Sequence, residues 1–251
     1  TEVLPTVGAG VNTQAAIGDV TGDGVVDIVA TSSAGPVFVL DRSGRSALET
    51  WTGLRLALPW LGEPFGGAAT SRDGGVIVSA FGGPALGDLD GDGVADVAAP
   101  TVGLRQALDQ LLPGDQQGDT QLSAWSTRDL SRMLPGFPYR TTDLAFFVTP
   151  AMVDVDGDGD LDVVAGNGVQ LVDAVDARGQ VPNGFPKLTG GWVVGTPGFG
   201  DLDGDGAAEM AVTRRDGLLL VWRTGASAAS LDGWSRFGHD GRNPGDLRTP
   251  R

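Results

Sequence analysis

The chain has 251 residues, enough for one large all-β domain or two small ones, and 41% of them are hydrophobic, which excludes wholesale disorder. It contains no cysteine and one histidine, His239, which removes disulfides, cysteine–histidine catalysis and multi-histidine metal sites. With 32 acidic against 17 basic side chains the formal charge is −15, so nucleic acid and anionic membrane surfaces repel it. No apolar run approaches the ~20 residues of a membrane-spanning helix.

Four repeats organise the chain. The 41 glycines follow no three-residue period, so they read as turn formers between short strands. The first repeat, residues 10–75, holds the loop Gly18-Asp-Val-Thr-Gly-Asp-Gly-Val-Val-Asp27. A β-prone run follows at 26–31, and a second at 36–41. An insertion at 51–75 brings Trp51 and Trp60, candidates for an exposed aromatic platform or for core.

The second repeat, 76–140, carries Gly87-Asp-Leu-Asp-Gly-Asp-Gly-Val-Ala-Asp96 and the run Thr120-Gln-Leu-Ser-Ala-Trp125. Between them the apolar positions 104, 107, 108, 111 and 112 predict a short helix, stopped by Pro113-Gly114. The third repeat, 141–190, carries Val153-Asp-Val-Asp-Gly-Asp-Gly-Asp-Leu-Asp162, and the fourth, 191–240, Gly200-Asp-Leu-Asp-Gly-Asp-Gly-Ala-Ala-Glu209. The first acids are spaced by 69, 66 and 47 residues, a blade-sized period. Each repeat therefore predicts one four-stranded antiparallel blade of an all-β propeller, with a closing tail at 234–251. The start at Thr1, just ahead of a blade, suggests further sequence upstream.

Numbered from its first acid, the loop has acids at positions 1, 3, 5 and 9 and glycines at 4 and 6. Alternate side chains of a curled loop converge, and carboxylates that converge need a cation. An all-oxygen set selects a hard ion, and six or seven oxygens suit Ca²⁺ better than Mg²⁺. The predicted ligands are Asp19, Thr21, Asp23 and Asp27; Asp88, Asp90, Asp92 and Asp96; Asp154, Asp156, Asp158 and Asp162; and Asp201, Asp203, Asp205 and Glu209. Position 7 (Val25, Val94, Asp160 and Ala207) contributes its backbone carbonyl, with the Asp160 side chain turned to solvent. An EF-hand is excluded, because position 12 is Ala30, Ala99, Ala165 or Val212 rather than Glu, and a strand pattern follows. The loops hold 16 of the 32 acids, so about four bound Ca²⁺ would move the charge from −15 to −7. Thr21 makes the first site the weakest.

The motif, the strand after it and the spacing resemble FG-GAP/VCBS repeats, the units of the integrin α-subunit propeller and of many bacterial extracellular proteins. Phe81-Gly-Gly-Pro-Ala-Leu-Gly-Asp88 is similar to their Phe-Gly signature in altered order. Leu134-Pro-Gly-Phe-Pro138 and Asn183-Gly-Phe-Pro186 are similar to the blade-ending turn of the bacterial versions. Trp234-Ser-Arg-Phe-Gly-His-Asp240 resembles their closing element. The resemblance implies a propeller with a calcium in a loop of each blade, on one face. About four blades in this chain make either a small closed ring or part of a larger one.

A catalytic constellation is missing. His239 sits in the polar tail and there is no nucleophile-elbow motif, so a role in a closing turn is expected. The sequence thus reads as a secreted or cell-surface calcium-binding module. It binds a protein or glycan partner through propeller loops, or other domains of a larger surface assembly, without contacting nucleic acid or inserting into membranes. The alternative is the propeller or accessory domain of a secreted hydrolase or polysaccharide lyase.

Overall fold

The computed structural model describes residues 13–31, 37–45, 77–79, 82–103, 120–126, 133–141, 148–231, 233–239, 245 and 247. The helix expected at 104–112 and the insertion tryptophans Trp51 and Trp60 lie outside these residues. Among the described residues the regular structure is β-strand with one 3-10 turn at Ala228–Ser230, and no helix is long and apolar enough to cross a membrane.

Four antiparallel sheets follow the four repeats. The first comprises β1 (Ala16–Gly18), β2 (Asp27–Thr31) and β3 (Val37–Leu40), in that order. The second is built on β6 (Asp96–Gly103). One edge of β6 pairs with β4 (Ile77–Ser79) and β5 (Ala85–Gly87) end to end, and the other with β7 (Thr120–Trp125), which pairs with β8 (Tyr139–Arg140). The third runs β9 (Ala151–Val153), β10 (Asp162–Gly166), β11 (Leu171–Asp176), β12 (Lys187–Leu188); the fourth runs β13 (Gly198–Gly200), β14 (Ala207–Thr213), β15 (Leu219–Ser227). The uniform four-strand blade is thus met only by the third sheet among the described residues. The second sheet has five strands because β6 is long enough to pair two short ones along one edge.

The side-chain alternation gives each sheet two faces. The forward face carries the acid at loop position 9, and with it Val29 and Val39 in the first sheet, Ala98 and Leu122 in the second, and Val164 and Ala174 in the third. The forward face of one sheet packs on the back face of the next. Val164, Val172 and Ala174 share a core with Phe199, Met210 and Val212 of the fourth sheet. Ala98, Leu122 and Ala124 share one with Val163, Ala165 and Val175 of the third. Both faces of β7 and β10 are consequently buried. Each buried Val or Leu contributes about 1.5–3 kcal/mol relative to exposure, so these inter-sheet cores hold the array together.

Close approach selects glycine where sheets meet. A Cβ at Gly136 would lie 2.0 Å from the Gly179 nitrogen, so the turn after β7 fits against the β11–β12 hairpin only without a side chain. The tail runs along the edge strands of the first, third and fourth sheets. Met152 N–H donates to the Trp234 carbonyl (3.0 Å), Phe199 N–H to that of Ser235 (3.0 Å) and Ile17 N–H to that of Gly245 (2.6 Å). It therefore ties β9, β13 and β1 to one another. Trp234 and His239 are both buried there, their rings 5.4 Å apart.

Candidate metal centre

Each acidic loop joins a short edge strand of a sheet to the strand beside it: Asp19–Asp27 between β1 and β2, Asp88–Asp96 between β5 and β6, Asp154–Asp162 between β9 and β10, and Asp201–Glu209 between β13 and β14. The glycines at positions 4 and 6 take positive φ in every copy, +73° and +82° in the first and +85° and +94° in the third. This left-handed backbone turns successive N–H groups inward, and glycine adopts it without the Cβ clash.

Three hydrogen bonds recur in all four loops. The position 6 N–H donates to the position 1 carboxylate, at 2.8 Å (Gly24 to Asp19), 2.9 Å (Gly93 to Asp88), 3.1 Å (Gly159 to Asp154) and 2.9 Å (Gly206 to Asp201). The position 7 N–H donates to position 5, as from Val25 to Asp23 (2.7 Å) and from Val94 to Asp92 (2.9 Å). The position 2 N–H donates to position 9, from Val20 to Asp27 (3.2 Å), Leu89 to Asp96 (2.9 Å), Val155 to Asp162 (3.0 Å) and Leu202 to Glu209 (2.8 Å). The carboxylates thus preorganise the loop that carries them, and the charge they bring together remains to be offset.

Positions 1, 3 and 9 converge. One carboxylate oxygen from each of Asp88, Asp90 and Asp96 lies within 4.8 Å of the other two, and the same holds for Asp154, Asp156 and Asp162, and for Asp201, Asp203 and Glu209. These groups can hold a metal ion. In the first loop Thr21 takes position 3, and its hydroxyl donates to Asp27 Oδ2 at 3.1 Å.

The position 5 acids are not among these three groups, although Asp158 acts on Asp162 alongside Asp156 and Asp154. Asp23, Asp92, Asp158 and Asp205 at position 5 each cap the N–H of position 7. Asp205 is also paired with Arg223 at 2.6 Å; the Ala207 N–H, then Arg223, hold its carboxyl below the usual range. At position 7 the Asp160 side chain is half exposed and 3.3 Å from Arg178. Among the described residues two arginines pair with loop acids, Arg223 at position 5 and Arg178 at position 7, and Arg223 also feels the Asp203 and Glu209 carboxylates of the fourth triad. Nothing in the sequence pairs Arg223 with Asp205, because the contact is made across the β14–β15 hairpin.

Burial sharpens the electrostatics. Asp96 is pushed up to about 7, first by burial and then by the Asp90 and Asp88 carboxylates, against the Leu89 and Asp90 N–H groups. Asp162 is likewise pushed up to about 7 by burial and by Asp156, Asp158 and Asp154, against the Val155 N–H. Burial also raises Asp27, although three hydrogen bonds from Val20 and Thr21 oppose it. Raised carboxylates facing further carboxylates at these distances form a strained anionic site. A bound cation inverts that balance, stabilising the ionised forms.

The third loop has extra support. Gly225 N–H donates to the Val155 carbonyl (3.0 Å), Asn183 N–H to Asp156 Oδ2 (3.3 Å), and a Cβ at Gly157 would lie 2.7 Å from the Gly225 carbonyl oxygen.

No family model matches the chain. No curated protein matches it either. Among solved structures it is similar to the computationally designed Ika4 protein (TM-score 0.37, 11% identity, covering 85% of this chain and 93% of that one). It is also similar to Bacillus licheniformis rhamnogalacturonan lyase PL11 (TM-score 0.43, 15% identity, 89% of this chain) and to the V. cholerae biofilm matrix protein Bap1 (TM-score 0.44, 9% identity, 90% of this chain). The chain spans 42% of the lyase and 59% of Bap1. Likenesses this weak carry no inference about activity or partners.

Proposed function

We propose that this chain is a calcium-stapled β-propeller segment, and that it serves as a binding or structural module outside the cell. The observation that carries the reading is the repetition of one loop. Three copies bring the same three positions to within 4.8 Å, all on oxygen ligands. Oxygen-only triads at the mouth of a glycine-rich turn fit Ca²⁺, whose larger coordination number accommodates the position 7 carbonyl as well. The first loop, with Thr21, forms the weakest of the four sites.

The forward-on-back packing of successive sheets and the tail along the edge strands of three of them support a propeller arrangement of about four blades. Extracellular calcium modules bind in the range of about 10⁻⁴–10⁻³ M, so a domain of this kind is loaded outside cells and largely empty in cytosol. The partner is a protein or glycan, or a neighbouring domain of a surface assembly, engaged through the loop-bearing rim.

Thermal unfolding in millimolar calcium and in excess chelator tests the reading. Calcium raises the melting temperature and magnesium does so less. Identical melting temperatures in calcium and chelator would overturn it.

A further inference from the structure

We infer that the forward face of the fourth sheet is a blade-docking surface, and that it receives the back face of the first sheet from a second copy of this chain. Along the chain the same interface is used three times, forward face onto back face, from the first sheet to the fourth. Among the described residues the series then stops with a face of the same kind that stays exposed. In the first three sheets the forward face is sealed: Val29, Ala98 and Val164 are fully buried. In the fourth, the corresponding face presents Leu219 and Val221 at 58% and 47% exposed. β15 accordingly alternates between exposed and half-buried residues over most of its length, whereas β7 is buried throughout.

The glycines ending the short edge strands register the same difference. A Cβ at Gly18 would meet the Leu86 side chain of the next sheet at 2.9 Å, and one at Gly87 would meet that of Leu161 at 2.9 Å. At Gly200, the matching position of the fourth sheet, the nearest atom is an Arg236 guanidinium nitrogen at 3.8 Å. Gly200 keeps a surface shaped for a close neighbour, yet a Cβ there would meet only that guanidinium, at ordinary contact distance, and no side chain of a next sheet.

The complementary surface is at the other end of the array. The back face of the first sheet carries Ile28, Phe38 and Leu40, all only half-buried, where the back faces of the second and third sheets are core. One molecule therefore holds both halves of the contact it repeats internally, on opposite ends. Such a contact is heterologous: it joins copies head to tail, closing as a ring of two or running on as a longer array. A solitary exposed leucine would need no partner, but a sheet face with two adjoining apolar side chains, Val221 paired with Ala211 of β14 and the β13 glycines beyond it, matches an interface already used three times.

Sedimentation analysis over a concentration series, with engineered cysteines in this cysteine-free chain, tests the inference. The wild-type protein is expected at twice 25.6 kDa or above. Val221→Glu is expected to reduce it to monomer with its melting temperature unchanged. Under mild oxidation, an equimolar mixture of Val221→Cys and Phe38→Cys proteins is expected to give a cross-linked pair containing one of each. Each variant alone is expected to give none. A wild-type monomer at all concentrations, or self-linking of Val221→Cys alone, overturns the inference: the first leaves the face to another chain, and the second shows two fourth sheets meeting symmetrically.

Discussion

The first and third acidic loops share a backbone and differ in chemistry. Both carry the position 6 to position 1 and position 2 to position 9 hydrogen bonds, and both turn on two positive-φ glycines. The third closes a triad of carboxylates with Asp162 buried and pushed up to about 7; the first substitutes Thr21, whose hydroxyl bonds Asp27 directly. The loop geometry is therefore written by glycine placement and backbone hydrogen bonding. What varies is how much anionic charge it concentrates, and that variation ranks the sites for a cation. A loop already satisfied by a hydroxyl has less need of a metal than one with three buried or half-buried acids.

The largest break in the comparison comes from Asp162→Ala. It removes a converging carboxylate and orphans the buried Val155 N–H, which alone costs about 1–3 kcal/mol. In calcium the variant loses that amount plus the bound ion's contribution, whereas Asp27→Ala in the first loop, which orphans the buried Val20 N–H, changes less between calcium and chelator; chemical denaturation in both conditions compares them. Asp162→Asn separates the two terms. It keeps an oxygen to accept from Val155, so it destabilises in calcium and stabilises in chelator, where the strained charge is relieved.

The second break is in pH. In chelator Asp96 and Asp162 hold protons more tightly folded, at about 7, than unfolded, near 3.9. Their contribution to stability is full below about pH 4 and is lost as pH rises through 7, with a slope approaching ~1.4 kcal/mol per unit for each group. Calcium binds the ionised forms and reverses the sign, so stability then rises with pH over the same window. Melting curves from pH 4 to pH 8 in both conditions are expected to slope in opposite directions; parallel slopes would argue against metal at these carboxylates.

Two smaller changes sharpen the contrast. Thr21→Asp gives the first loop its missing acid and is expected to tighten its calcium binding by about tenfold, equivalent to ~1.4 kcal/mol, while lowering stability in chelator. Calorimetric titration detects it as strengthening of the weakest site. Gly159→Ala meets nothing within 4 Å, so its effect is backbone strain alone at φ +94°, about 1–2 kcal/mol. A neutral Gly159→Ala would mean the loop relaxes out of the left-handed conformation without losing its hydrogen bonds.

Much of this was legible in the residues. Turn glycines and alternate acids act locally, so the four loops, the strands after them and the runs at 36–41 and 120–125 stand where the pattern puts them. Long-range pairings left no local signal. The tail crossing from β13 to β9 and β1, the Arg223–Asp205 pair and the Gly225 brace on the third loop join residues distant in the chain. The apolar run Gly217-Leu-Leu-Leu-Val-Trp222 has the composition of a buried strand, yet Leu219 and Val221 are exposed on the face opposite Leu220 and Trp222, which pack on the core. Position 5 was legible as an acid but not as a cap: its carboxylate turns to the position 7 N–H, two residues on, as aspartates in turns do.

Equilibrium dialysis against millimolar calcium, with the metal content of the recovered protein measured by mass spectrometry, tests the central claim most directly. Three ions per chain, with a weaker fourth, and one fewer in Asp162→Ala, is the predicted result. Protein that returns from calcium carrying none would contradict it, leaving the acidic loops as turns held by their own backbone hydrogen bonds.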